Sequence, residues 1–173
     1  MSTGAEERVI SRRDIVLGGT AVAAAIVCLG KSSNNALADS DPLGKFEIVR
    51  TDEEWRRELT TEQYAVLRRR ATERPWSSSL NKESRSGTYV CAGCALPLFS
   101  STTKFESGTG WPSFWTAIDG SIGTSEERTL FLVRTEVHCR RCGGHLGHVF
   151  KDGPEPTGLR YCMNGIALSF VPD

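Results

Sequence analysis

The sequence predicts a mainly β domain preceded by short N-terminal helices. From Gly87 onward, runs of β-branched and aromatic residues are separated by Gly, Pro, Ser and Asp, a pattern typical of strands joined by turns. Before Gly87, two S/T-x-x-E/Q patterns are typical of helix starts. The 173 residues are 39% hydrophobic and 24% charged, which is ordinary for a globular protein and excludes a disordered, collagen-like or multispanning chain.

Each helix is predicted from a capping box, in which a hydroxyl and an acid or amide side chain satisfy free amides at the helix start. The first box is Thr51 to Glu54 and the second is Thr60 to Gln63. The second helix is expected to end at Pro75, with Arg68 to Arg70 on its solvated side. Its apolar face is formed by three side chains: Tyr64, Leu67 and Ala71.

Alternation of side chains predicts two strands in particular. In the segment from Thr129 to Val137, one face carries Phe131, Val133 and Val137, and the other carries Arg134 and Glu136. The second strand places three apolar residues on one face: Ile166, Leu168 and Phe170.

The first 38 residues are predicted to be an export signal and not part of the fold. Arg12 and Arg13 precede an uncharged stretch from Ile15 to Gly30, which is shorter than the about 20 residues of a membrane span. The segment ends in a small-x-small pattern before Asp39. This is typical of a twin-arginine signal. An uncleaved anchor and an organelle transit peptide are the alternatives, and the acidic residues of the segment argue against the second.

The predicted domain organisation is therefore a signal over 1–38 and one domain over 39–173, with a periplasmic or extracytoplasmic location. The 21 basic and 21 acidic residues of the whole chain balance. Removal of four basic and three acidic residues with the signal leaves 17 and 18, a formal charge of −1. No excess of positive charge favours nucleic acid as a partner. A monomer is the default expectation.

Two C-x-x-C pairs predict one structural metal site. Cys91 and Cys94 form the first pair, and Cys139 and Cys142 the second. Four thiolates suit a tetrahedral Zn²⁺ with no position open to substrate. The long separation of the pairs indicates that they link distant parts of the sheet. Two separate redox pairs, or iron in place of zinc, are the alternatives.

Cys162 is the candidate nucleophile, because zinc takes four thiols and the signal removes Cys28. A single cysteine in an apolar strand is more often a buried structural thiol. Arg160, two positions away on the same strand face, favours the reactive form, since a nearby cation lowers the pKa of a thiol. His145 and His148 lie among glycines and are either catalytic, a metal pair or surface residues.

Beyond the two cysteine pairs, three motifs carry a family resemblance: Glu106 to Phe114, Gly144 to Phe150 and Arg160 to Gly165. From about Lys45 to Pro172, the chain resembles the B-type methionine-R-sulfoxide reductases. The resemblance implies two antiparallel sheets in a tent-like or barrel-like arrangement, with short N-terminal helices and a four-cysteine zinc site.

The resemblance also implies an activity, the thiol-dependent reduction of methionine-R-sulfoxide in proteins and peptides. Cys162 corresponds to the nucleophile, which becomes a sulfenic acid. The polar residues of the site are matched by His145, His148, Asn164 and Arg160. Trp111 and Phe114 are expected on the substrate side, with the indole as the wall for the S-methyl group.

The chain departs from the family pattern at Thr109, where many members carry a cysteine that resolves the sulfenic acid. We therefore expect an external thiol, from a thioredoxin-like protein or a small molecule, to reduce Cys162. Two other functions compete. A zinc-ribbon binding module has no use for Cys162, and a metalloenzyme would hold a second metal with His145, His148 and Cys162.

Overall fold

The computed structural model describes residues 46–128 and 133–173, all of which lie within one compact unit. The predicted export signal and Phe131 are outside the described residues. Within the described ranges, no helix is long and apolar enough to cross a membrane.

Both predicted helices are present. Helix α1 spans Asp52–Glu58 and helix α2 spans Thr61–Arg69, and each begins with a complete capping box. The expected end at Pro75 is wrong, because the chain leaves α2 at Arg70, which adopts a left-handed conformation with φ of 56°. A left-handed residue satisfies the last helical carbonyls and turns the chain sharply.

The predicted solvated arginine face is also wrong in part. The Arg68 guanidinium lies over the Trp55 ring and donates to the Cys142 carbonyl. Arg70 forms an ion pair with the buried Glu136. The arginines at the end of α2 therefore attach the helix to the β domain.

The mainly β fold with two antiparallel sheets is confirmed. In the described ranges, three strands form the first sheet in the order β2-β1-β9, and six form the second in the order β3-β4-β8-β7-β6-β5. The strands are β1 (Gly87–Cys91), β2 (Pro97–Ser100), β3 (Lys104–Phe105), β4 (Ser113–Phe114), β5 (Ile122–Arg128), β6 (Val133–Cys139), β7 (His145–Phe150), β8 (Arg160–Met163) and β9 (Leu168–Pro172). Short 3₁₀ turns cover Ser79–Lys82, Ser101–Thr103 and Gly165–Ala167.

Two details of the strand prediction are corrected. Ile166 lies in the 3₁₀ turn before β9 and not in the strand. On β6, Val133 is exposed and Glu136 is only 2% exposed, so the polar face of this strand is not its solvent face. Alternation predicts which residues share a face, but the packing of neighbouring elements decides which face is buried.

Strand register determines which side chains meet in the larger sheet. Ser113 of β4 and His148 of β7 both pair directly with Cys162 of β8. Directly opposed residues point to the same side of a sheet. These three side chains therefore share one face, while the neighbouring residue Phe114 points to the other face, into the core.

Candidate functional site

Four cysteine sulfurs come together where the two sheets meet. Cys91 and Cys94 lie at the turn that follows β1, and Cys139 and Cys142 lie at the turn that follows β6. All four Sγ atoms are within 4.8 Å of one another. The two pairs thus link the two sheets, which refines the expected link between distant parts of one sheet.

The spacing of the sulfurs fits a tetrahedral metal. The Cys91 and Cys142 sulfurs are 3.7 Å apart, and those of Cys94 and Cys139 are 3.5 Å apart. These distances exclude disulfides, whose sulfurs are about 2.05 Å apart. A tetrahedron with metal–sulfur bonds of about 2.3 Å has edges of nearly 3.8 Å. The donor set can therefore hold one metal ion, as in structural zinc sites.

Backbone turns bring each pair of thiols together. In the second pair, Gly143 follows Cys142 with φ of 70°, a left-handed conformation that glycine adopts without strain. In the first pair, the left-handed residue is Ala95, with φ of 56°, and not a glycine. A Cβ on Gly143 would come within 2.5 Å of the Phe46 ring, so this turn also packs against the start of the described chain.

Cys162 lies apart from this cluster, in a pocket on one face of the larger sheet. Its side chain is partly buried, and it lines a cavity of about 120 Å³. The other lining residues come from β6, β7, β8 and the segments around them: Thr72, Trp111, Arg134, Gly147, His148, Phe150 and Asn164. The cavity thus combines one thiol with aromatic walls, an imidazole and an amide.

The two predicted histidines occupy different positions. His148 lines the pocket, and its Nε2 is 2.8 Å from an oxygen of Glu127. His145 is 3% exposed and its Nδ1 is 2.8 Å from an oxygen of Glu136. Carboxylates only accept hydrogen bonds, so each of these ring nitrogens carries the hydrogen. The rings themselves meet edge to face, with centroids 5.4 Å apart.

These carboxylates set the charge around the imidazoles. Burial lowers the pKa of His148, and the hydrogen bond to Glu127 opposes that effect. Burial raises the pKa of Glu136, but hydrogen bonds from His145 and Ser125 outweigh it and lower the pKa to about 2. Within the described ranges, the buried His145 Nε2 has no hydrogen-bond partner.

Asn164 and Trp111 are both fixed by Glu73, a buried residue that follows α2. The Glu73 N–H donates to Asn164 Oδ1 at 3.0 Å, and the Glu73 carbonyl accepts from Trp111 Nε1 at 3.1 Å. Its carboxylate accepts from the amides of Gly165 and Ile166. Asn164 occupies the N-cap position of the 3₁₀ turn Gly165–Ala167, but its side chain forms no capping hydrogen bond. Glu73 supplies that cap instead, and Asn164, which lines the pocket, also donates from its side-chain amide to the Leu146 carbonyl at 3.1 Å.

Arg160 lies beside the thiol, as the strand alternation predicted. Its guanidinium donates twice to Asp152, at 2.9 and 2.8 Å, and lies over the Phe150 ring. Burial raises the pKa of Cys162, while the Thr109 hydroxyl, Arg160 and Ser113 lower it in part. The net effect is a raised pKa, so Arg160 alone does not make this thiol acidic.

Phe114 does not belong to the pocket, and its expected place on the substrate side is wrong. The side chain is fully buried and stacks on Phe99, with ring centroids 4.4 Å apart. The phenylalanine that lines the pocket is Phe150. The sequence carried this signal, because Phe150 is two residues after His148 on one strand and therefore shares its face.

Sequence reasoning also missed the carboxylates that contact the histidines, Glu127 and Glu136. It missed Thr72 and Arg134, which line the pocket, and Glu73, which holds Trp111 and Asn164. The strand pattern assigned Glu136 to a polar face, and no local pattern indicated Glu73. In the described part of the chain, the four cysteines are the only group of three or more candidate metal ligands. His145, His148 and Cys162 do not form a second one.

Comparison with known proteins places the chain among reductases of oxidised methionine. The family model described as the SelR domain matches residues 59–172. A peptide methionine sulfoxide reductase MsrB from Leifsonia xyli subsp. xyli is 54% identical over 132 residues, 75% of this chain and 95% of that protein. Proteins with the same name from Leptospira interrogans and Bradyrhizobium diazoefficiens are 52% and 53% identical, over 72% and 73% of this chain and 96% and 91% of theirs.

Proposed function

This chain belongs to the SelR family, whose relatives are peptide methionine sulfoxide reductases MsrB, and we propose that it reduces methionine-R-sulfoxide in proteins through a sulfenic acid on Cys162. The observation that carries the proposal is the position of Cys162. This thiol lies outside the four-cysteine cluster and opens into a pocket that Trp111, His148 and Asn164 also line.

The proposed reaction transfers one oxygen atom from the substrate to the enzyme. The Cys162 thiolate attacks the sulfoxide sulfur and forms a sulfur–sulfur bond while the oxygen takes up a proton. The hydroxyl group then moves to the Cys162 sulfur as the sulfur–oxygen bond of the substrate and the new sulfur–sulfur bond break, and methionine leaves as a thioether. Cys162 retains the oxygen as a sulfenic acid, so its sulfur is oxidised by two electrons and the methionine sulfur is reduced by two.

The sulfoxide oxygen needs a proton, because it is a poor leaving group without one. His148 is suited to deliver it, since it pairs with Cys162 in the strand register and lines the same pocket. We assign His148 the transfer of the thiol proton to the sulfoxide oxygen. His145, buried behind it, holds the imidazole pair in place through Glu136. His145→Ala is therefore expected to slow reduction while the metal content is unchanged.

The geometry favours one epimer of the substrate. With the S-methyl group against the Trp111 ring and the oxygen toward His148 and Asn164, only one configuration presents its sulfur to Cys162. The indole is fixed for this role because its Nε1 donates to the Glu73 carbonyl. The aromatic and apolar surface suits a thioether side chain of a peptide.

Reduction of the sulfenic acid is assigned to an external thiol. The residue beside Cys162 in the Glu106 to Phe114 motif is Thr109, whose Oγ1 is 3.8 Å from the Cys162 sulfur. A hydroxyl cannot form a disulfide. Two external thiols, or one dithiol, would regenerate Cys162 and release water and a disulfide, as a thioredoxin-like protein or a small thiol does.

The four-cysteine cluster is assigned to one structural zinc ion. Bound there, zinc supplies folding free energy and takes no part in the reaction. Four sulfurs complete the tetrahedron and leave no position for substrate. The cluster joins β1 of one sheet to β6 of the other, so the metal fixes the sheets relative to each other.

We also assign an extracytoplasmic location, from the twin arginines and the uncharged stretch in 1–38. The twin-arginine route exports folded proteins, which suits a chain that loads a metal before export. Replacement of Arg12 and Arg13 by lysine is expected to retain the protein in the cytoplasm, measured by cell fractionation. An unchanged distribution would contradict this assignment.

The proposed activity is tested with separated epimers of a peptide methionine sulfoxide and dithiothreitol as the reductant. We expect turnover of the R epimer only, and mass spectrometry should find a sulfenic acid or a mixed disulfide on Cys162. A disulfide between Cys162 and any of the four cluster cysteines would contradict the external-thiol step. One equivalent of zinc per chain is expected, whereas two equivalents would favour a metalloenzyme.

A further inference from the structure

The Cys162 sulfur lies at the end of a chain of three hydroxyl groups. Thr109 Oγ1 is 3.8 Å from Cys162 Sγ, and Ser107 Oγ is 2.8 Å from Thr109 Oγ1. Ser113 Oγ is in turn 2.8 Å from Ser107 Oγ, and it donates to the Trp111 carbonyl at 3.1 Å. The mechanism proposed above does not use these three hydroxyls.

A tight turn and the strand register hold the three hydroxyls in line. Ser113 is fully buried directly opposite Cys162 on the neighbouring strand. Between Ser107 and Thr109, Gly108 has φ of 72°, and its amide donates to the Glu106 carboxylate at 2.7 Å. This turn folds the chain back, so that side chains two residues apart make contact. The hydroxyl chain is therefore a built feature of the β3 to β4 connection.

Counting hydrogens gives the chain a direction while Cys162 is a thiol. Each hydroxyl has one hydrogen to donate. Ser113 donates its hydrogen to the Trp111 carbonyl, so toward Ser107 it can only accept. Ser107 then accepts from Thr109, and Thr109 accepts the thiol hydrogen of Cys162. All the hydrogens thus point away from the sulfur.

We propose that this hydroxyl chain reverses when Cys162 loses its proton, so that Thr109 donates a hydrogen bond to the thiolate and acts as a catalytic residue. The thiol proton leaves by way of His148. Each hydroxyl hydrogen stays on its own oxygen and only the O–H bonds rotate, so that Ser113 donates to Ser107 and Ser107 donates to Thr109. The Trp111 carbonyl loses its hydrogen bond, and the thiolate gains a stronger, charge-assisted one.

The reversed hydroxyl chain stabilises the Cys162 thiolate, which the other groups around the sulfur do not stabilise enough alone. Burial raises the pKa of Cys162, and the groups that lower it in part are the Thr109 hydroxyl, with the largest effect, the Arg160 guanidinium and the Ser113 hydroxyl. Two charged or titratable side chains line the same pocket, His148 on β7 and Arg134 on β6, and Arg160 on β8 acts on the Cys162 sulfur from beside it. Their partners are Asp152 for Arg160 and Glu127 for His148 and Arg134. The inference deepens the proposed function, on which the catalytic use of the thiolate rests.

The test is the pH dependence of Cys162 alkylation by iodoacetamide, measured in the full chain without sulfoxide. Thr109→Val keeps the shape of the side chain and removes its hydroxyl. We expect alkylation at pH 7 to fall about tenfold and its pH midpoint to rise, because a hydrogen bond to a charged group is lost. Thr109→Ser, which keeps a hydroxyl, is expected to regain most of the alkylation rate that Thr109→Val loses, and kcat/KM should follow the same order.

Thr103→Val is the matched control. Its buried hydroxyl donates to the carbonyls of Ser100 and Thr116, outside the chain of hydroxyls. It should alkylate as the parent does, and metal content verifies that each variant is folded. If Thr109→Val does not retain the metal, Thr109→Ala carries the same expectation.

Unchanged alkylation of Thr109→Val at every pH, or an equal shift in Thr103→Val, would overturn the inference. Because iodoacetamide needs no sulfoxide, the two proposals fail separately. If the parent protein shows no reductase activity but the alkylation midpoint is shifted in Thr109→Val, only the proposed function is refuted.

Discussion

The four-cysteine cluster and the Cys162 pocket show how neighbours decide what a thiol does. In the cluster, each sulfur is surrounded by three other sulfurs, and the set closes around one ion position. In the pocket, the single sulfur is surrounded by hydroxyls, an arginine and open volume. The first region joins the two sheets and the second lies on one face of the larger sheet. Changes in the cluster should therefore affect folding, whereas changes in the pocket should affect turnover.

The largest effect is expected for Cys142→Ser, which removes one metal ligand. Binding of structural zinc contributes on the order of 10 kcal/mol to the folding of small zinc domains. We therefore expect this variant to lose the metal and its cooperative thermal unfolding transition, as measured by metal analysis and calorimetry. A Cys142→Ser protein that unfolds cooperatively without metal would show that the cluster is not a structural metal site, and one that keeps the metal would show that Cys142 is not a required ligand.

Cys162→Ser tests the opposite side of the comparison. This change should abolish sulfoxide reduction, because a hydroxyl is a far weaker nucleophile than a thiolate. Metal content and the unfolding transition should remain those of the parent, since Cys162 belongs to no cluster. Residual turnover above the reductant-only background would remove this sulfur from the mechanism.

The sequence predicted the features that depend on short spacings. Capping boxes predicted both helices, and the C-x-x-C spacing predicted each cysteine pair, because each pattern acts within four residues. Arg70, where α2 ends, forms an ion pair with Glu136 in a distant strand, and the Glu73 carboxylate caps the turn at Gly165, more than 90 positions away. Such features need the tertiary structure, and no local pattern contains them.

The two aromatic residues expected on the substrate side lie in different places, since Trp111 lines the pocket and Phe114 is buried in the core. Trp111 lies in a loop that Glu73 fixes at the pocket, whereas Phe114 follows Ser113 on β4 and must point to the opposite face. If the sequence had shown that Ser113 pairs with Cys162, Ser113 would have been assigned to the pocket face of β4 and Phe114 to the core face. Register between strands is set by long-range pairing and cannot be read from one strand alone.

Two phenylalanines sharpen the comparison between fold and pocket. Phe114→Ala leaves a cavity in the aromatic core and should lower the free energy of unfolding by about 3–5 kcal/mol. Phe150→Ala removes a partly exposed pocket wall and should chiefly raise KM for the peptide sulfoxide. Denaturant unfolding and steady-state kinetics on both variants measure this. A larger KM change for Phe114→Ala than for Phe150→Ala would return Phe114 to the substrate side.

The smallest effect is a pH dependence of stability at the buried Glu136, which lies on β6, the strand that ends at Cys139 of the cluster. Its pKa is about 2 in the folded protein and near 4.5 in the unfolded chain, so the folded state favours the ionised carboxylate. The resulting stability is fully present above about pH 4.5 and is lost as the pH falls toward 2, to a maximum of about 3 kcal/mol. Glu136→Gln lacks this contribution and should lose less stability on acidification than the parent.

Acid also protonates the cysteine ligands and releases metal, in the parent and the variant alike. The informative quantity is therefore the difference between their free energies of unfolding at each pH, measured by denaturant titration from pH 5 to 3. The matched control is Glu126→Gln, because the Glu126 side chain is 52% exposed and pairs with Arg128 at the surface. Glu126→Gln should follow the parent throughout. If Glu136→Gln followed it as well, the Arg70 and His145 contacts of Glu136 would add nothing to the ionised form, and the histidine pair would have to be held by packing alone.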